Sequence, residues 1–161
     1  MTVRHLRIAD GEGLEPAHQG SVRIAFATAD RHTVDQHFGL ASGFAIYQVG
    51  CSGTRLLEVA DIEEPADAAP DCDRLAPRLQ VVEGCAALYC NAIGAPAVRR
   101  LLTQGCQPRK VSDGTAIDTV LGTLIAQLRE RPPAWLSRAL RGEPAGEARF
   151  DAMEATGWWA D

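Results

Sequence analysis

The apolar positions of the chain follow two rhythms. Val22-Arg23-Ile24-Ala25-Phe26-Ala27 alternates large and small apolar residues ahead of Thr28 and Asp30, which predicts a buried strand opening into a loop. Phe44 to Val49 and Arg55 to Ala60 predict two more strands, and Gly50-Cys51-Ser52-Gly53 between them predicts a hairpin turn. The rhythm then changes. Leu75, Leu79 and Val82 share one helical face, so a helix is expected from about Arg74, with Pro77 in its first turn and Gly84 as its stop. Ala86-Ala87-Leu88-Tyr89 predicts a central strand, and Pro96 opens a helix whose apolar side is Val98, Leu101 and Leu102. Cys106 to Val111 reads as a short strand that Pro108 assigns to an edge. Ile117, Val120, Leu121, Leu124, Ile125 and Leu128 make one buried stripe, with Asp113 as the expected N-cap and Pro132-Pro133 as the stop.

The order β-β-β-α-β-α-β-α implies a single compact α/β domain. Its mixed sheet of about five strands has an antiparallel hairpin, right-handed parallel crossovers and flanking helices. The expected division is an N-terminal extension at 1–20, the α/β domain at 21–131 and a C-terminal tail at 132–161. Trp135, Leu136, Ala139 and Leu140 suggest a short helix within the tail, and Trp158-Trp159 suggests a partner-docking end, against disorder or self-packing.

Composition narrows the function classes. A net charge of -5 argues against nucleic acid as partner, since phosphate binding needs a clustered positive surface. No apolar run reaches the roughly 20 residues of a membrane span, and no signal peptide is visible, so a cytoplasmic location is expected. Cys51, Cys72, Cys85, Cys90 and Cys106 form no CxxC pair and read as free thiols.

In an open α/β sheet, ligands sit beyond the carboxyl ends of the strands. Asp30 to Gly39 leaves the first predicted strand there, and Cys90-Asn91-Ala92-Ile93-Gly94 leaves the fourth. If those strands are parallel neighbours, His37 and Cys90 share a rim. An imidazole and a thiolate suit a soft, iron-containing ligand, while Gly39 and Gly94 let backbone amides approach an anion. Each residue also has an ordinary reading: His37 as a hydrogen-bonded loop or capping residue, Cys85 and Cys90 as small buried hydrophobes. By this logic alone, a Cys90–His37 thiol enzyme and a nuclease built on Asp30, Asp35, Asp113 and Asp118 are also conceivable, but neither has supporting machinery in the sequence.

The segments "RIAFATADRHTVDQHFGLASGFAIYQV" and "EGCAALYCNAIGAPAVRRLLTQGCQPRKVSDGTAIDTVLGTL" closely resemble the nitrogenase iron-molybdenum cofactor-carrier family over roughly residues 20 to 140. The H-F-G and C-x-A-I-G segments carry the likeness. It implies a ribonuclease-H-like motif and a monomeric, non-catalytic carrier. The implied cargo is a transient iron-sulfur precursor of the iron-molybdenum cofactor, received from NifB and exchanged with the NifEN scaffold. The family's histidine ligand maps onto His37, and a cysteine contribution onto Cys90. Asp35 either orients the imidazole or caps a turn. Arg31, Arg99 and Arg109 are the candidate cations for an anionic cluster. A carrier should hold its cargo by few bonds, which the scarcity of cysteine motifs fits. The alternative within the same pathway is a protein that docks on the scaffold through its tail without touching the cluster.

Overall fold

The computed structural model describes residues 2–7, 20–63 and 73–141. The first strand, β1 (Thr2–Arg7), is followed by β2 (Ser21–Ala27), the two-residue β3 (Thr33–Val34) and a 3-10 turn at Phe38–Leu40. The long hairpin β4 (Gly43–Gly50) and β5 (Gly53–Glu63) comes next, then α1 (Leu75–Val81), β6 (Ala87–Cys90), α2 (Ala95–Thr103) and β7 (Gln107–Lys110). The two-residue β8 (Thr115–Ala116) leads into α3 (Ile117–Arg129), and α4 (Ala134–Leu140) ends the described part.

Six strands form one mixed sheet in the order β1-β5-β4-β2-β6-β7, antiparallel from β1 to β2 and parallel from β2 to β7. The five strands β5, β4, β2, β6 and β7 make the expected mixed sheet, with its antiparallel hairpin and parallel neighbours. β1 adds a sixth at one edge, where the sequence predicts an extension without regular structure. Its residues Thr2 to Arg7 pair with Glu63 to Glu58 of β5, and His5 Nδ1 pairs with the buried Glu58 carboxylate. At the other edge, the amides of Gln107 and Val111 donate to Ala86 and Cys90 of the β6 side at 2.9 Å each. By alternation the backbone nitrogen of buried Pro108 points away from β6, so its missing N–H costs no ladder bond.

Because strand side chains alternate, β2 is buried on both faces. Ala25 and Ala27 join Leu88, Cys90, Leu79, Val98 and Leu101 beneath α1 and α2. Ile24 and Phe26 join Tyr89, Ile117, Leu121, Leu124, Trp135 and Leu136 beneath α3 and α4. Phe26 stacks on Tyr89 with ring centroids 5.4 Å apart and meets Tyr47 edge-on at 5.8 Å.

Candidate functional site

The parallel neighbours β2 and β6 bring two loops to one rim: residues 28–42 after β2 and 91–94 after β6. Main-chain bonds join them directly. The Asn91 amide donates to Gln36 O at 3.1 Å, the Phe38 amide to Ala92 O at 3.0 Å, and His37 pairs with Ala92 as a parallel bridge. The loop after β7 is tied in too. Asn91 Nδ2 donates to Asp113 Oδ1 at 2.8 Å, the Gly114 amide to Val34 O at 2.9 Å, and β3 pairs with β8. Asp113 is therefore not the N-cap of α3, as its position suggested. That place belongs to Ala116, because β8 intervenes before the helix begins.

Loop 28–42 is built on local acceptors. Asp30 accepts from the His32 and Thr33 amides at 2.8 Å each, from the Thr33 hydroxyl at 2.8 Å and from the Thr28 hydroxyl at 3.1 Å. Those donors, the His32 amide foremost, hold its carboxyl well below the usual carboxylate range. They also hold Arg31 in a left-handed conformation, φ 67°, with its guanidinium 3.7 Å from Asp61. Asp35 Oδ1 accepts from the Ala29 amide at 2.9 Å. This bond ties the start of the loop to its middle.

His37 sits half-buried at the head of the 3-10 turn and caps it: the Gly39 amide donates to Nδ1 at 3.0 Å. A Cβ at Gly39 would meet His37 Cε1 at 3.4 Å and Leu75 Cδ2 at 3.7 Å, ordinary van der Waals contact. Beneath the turn, Phe38 is fully buried and meets Phe44 edge-on at 6.0 Å. The turn's far end is held by Arg78 of α1, whose side chain is 1% exposed and donates to Ala41 O at 3.0 Å and Arg74 O at 2.7 Å. In the sequence Arg78 shows only as a charge three residues after Leu75 and next to Leu79, on the face assigned to the core.

The other candidates separate. Cys90 is the last residue of β6 rather than the first of the loop, and alternation turns its side chain with Leu88 into the core under α1 and α2. Its thiol is fully buried and lies 3.9 Å from Arg109 O, and burial pushes it up to about 12. In this conformation Cys90 does not share the rim surface with His37. Gly94 caps α2 with its backbone, and Asn91 serves as the clip between loops. Arg109 lies over the Trp135 ring at 5.5 Å, tying α4 to β7, while Arg99 is exposed on α2. Among the described residues, no three His, Cys, Asp or Glu side chains converge to hold a metal ion. Asp30, Asp35 and Asp113 of the nuclease reading each serve a loop bond instead.

The fold and the site together define a single α/β domain whose six-stranded mixed sheet presents the half-buried His37 imidazole on a hydrogen-bonded rim. The sequence pattern of the dinitrogenase iron-molybdenum cofactor family matches residues 20–127, and the chain belongs to that family. Within the family its resemblance is to proteins called NifX. The NifX of Azotobacter vinelandii is 42% identical over 157 residues, 96% of each chain. The NifX of Sinorhizobium fredii (strain NBRC 101917 / NGR234) is 33% identical over 144 residues, 86% of this chain and 89% of that one. The FeMo cofactor biosynthesis protein NifB of Frankia alni is 32% identical over 134 residues, 80% of this chain but 26% of its own length. No described helix is long and apolar enough to cross a membrane.

Proposed function

We propose that this protein is a carrier in iron-molybdenum cofactor biosynthesis. It binds an iron-sulfur precursor through His37, receives it from NifB and exchanges it with the NifEN scaffold, and it catalyses no reaction of its own. The observation that carries the reading is the half-buried His37 imidazole held at the junction of the two rim loops, where Phe38 and Asn91 fix the backbone on either side. One nitrogen donor, without a converging set of thiolates, suits cargo that must leave again. The N-terminal end of α2, capped only by the Gly94 backbone, adds amides that favour an anionic cluster next to the bridge at Ala92. Cys90 as a second ligand would require its side chain to leave the core, so the reading rests on His37.

The test is anaerobic titration of the purified protein with the isolated precursor, followed by visible absorption and gel filtration, beside His37→Ala. The carrier reading expects cluster to co-elute with the wild type and not with the variant. Equal co-elution with both removes His37 as the ligand. Absence of cluster from both transfers the function to docking on the scaffold.

A further inference from the structure

The hydrogen bond that caps the 3-10 turn occupies the atom a metal would need. A backbone N–H can only donate, so His37 Nδ1 must present its lone pair to Gly39, and the proton of the neutral ring resides on Nε2. In that tautomer Nδ1 holds the only ligating pair, and Gly39 has it. The contact is well supported on all sides. Phe38 is fully buried, its amide is bonded to Ala92 O at 3.0 Å, and Ala41 is gripped by buried Arg78 at 3.0 Å. The ring is thus held closed by residues on both flanks of Gly39.

The geometry points to Gly39 as the residue that controls presentation of His37: the unloaded site is self-blocked, and cargo capture and release proceed by exchange at Nδ1 between the Gly39 amide and a cluster iron. This rests on the carrier reading above. In the exchange one N–H···N hydrogen bond breaks and one iron–nitrogen bond forms from the same lone pair. The proton stays on Nε2, and no electron moves. Ligation through Nε2 would first require the proton to move to Nδ1. That would set two N–H groups against each other at 3.0 Å, and so would expel the Gly39 amide as well. Either way the closed contact competes with the cargo. A carrier gains from such competition, because release is assisted by re-formation of a bond within the protein.

Two measurements on the full chain test this, with the isolated iron-sulfur precursor as probe. The first is hydrogen exchange at the Gly39 amide with and without cargo, taking the Phe38 amide as internal reference. Loading should speed Gly39 exchange about tenfold or more while Phe38 stays protected. The second is nitrogen NMR of the His37 ring before the precursor is added, which should find the proton on Nε2 and an unprotonated, hydrogen-bonded Nδ1. Cargo bound through His37 with Gly39 as protected as before, or an unloaded ring protonated on Nδ1, overturns the self-blocked site and leaves the carrier standing. Failure of the wild type to bind the precursor at all overturns both.

Discussion

Replacing Gly43 with alanine should be among the costliest single-methyl additions in this protein, for a reason that can be worked through in ångströms. Gly43 opens β4 directly beside the end of β2, and a Cβ there would lie 2.6 Å from the Thr28 carbonyl oxygen. Ordinary contact begins at 3.4 Å, so the two backbones must part by 3.4 − 2.6 = 0.8 Å. The same residues are joined by the Thr28 amide donating to Gly43 O at 3.0 Å, and a parting of that size would stretch this bond to 3.8 Å and lose it. Overpacking against backbone costs about 1–3 kcal/mol. The lost hydrogen bond adds about 1 kcal/mol, for a total of about 2–4 kcal/mol. The assay is urea unfolding. With a slope of ~2 kcal/mol/M, the midpoint should fall by about 1–2 M. The control is the same substitution at Gly122, exposed within α3 with open space around its Cβ position. There alanine relieves the backbone entropy of glycine and should stabilise by ~0.5–1 kcal/mol. An unchanged midpoint in Gly43→Ala, or equal shifts in the two variants, would refute the reasoning.

Further outcomes follow from the rim and the core. Arg78→Met removes the charged donor to Ala41 O and Arg74 O and should cost about 2–4 kcal/mol in urea unfolding, with faster hydrogen exchange in residues 38–41. Thiol titration with a disulfide reagent at about pH 8 should modify exposed Cys51 in the native protein. Cys85, Cys90 and Cys106 should react only once urea unfolds the chain, since burial raises all three thiols. Native-rate labelling of Cys90 would restore it as a candidate ligand. Asp30 is held below its ordinary carboxylate range when folded, so its contribution to stability is present above about pH 4 and disappears as pH falls through the folded value. Urea midpoints measured between neutral and acid pH should therefore decline less steeply in Asp30→Asn than in wild type.

The legible parts of this fold were those specified locally. The alternation across Val22 to Ala27 and the stripe from Ile117 to Leu128 name their elements and faces unaided, because each buries a continuous surface with one period. β1 was not legible: Thr2 to Arg7 carries two arginines and a histidine, and its pairing with β5 depends on residues more than fifty positions away. The site was half legible. His37 and its rim followed from strand order alone, yet the direction of Cys90 turned on whether β6 ends one residue later, and one residue reverses a side chain. In the sequence Asp113 stands as the N-cap of the last helix, and Asp35 as a partner of the imidazole or a turn cap. Which neighbour each takes, the Ala29 amide and Asn91, is decided by where the loops meet in space.

The rim is joined chiefly through main-chain atoms: Asn91 amide to Gln36 carbonyl, Phe38 amide to Ala92 carbonyl, Gly114 amide to Val34 carbonyl. Peptide groups are common to every residue except proline as donors, so this framework places little demand on what the side chains at 36, 91 or 92 are. Two side-chain ties add to it, the Asn91–Asp113 clip and Gln36 Oε1 accepting from the Ser42 amide at 3.4 Å, and the remaining links aim the imidazole through the backbone alone. A domain constructed in this way can change the lining around one fixed histidine and keep its framework. Its architecture separates the evolution of the rim's chemistry from the evolution of folding.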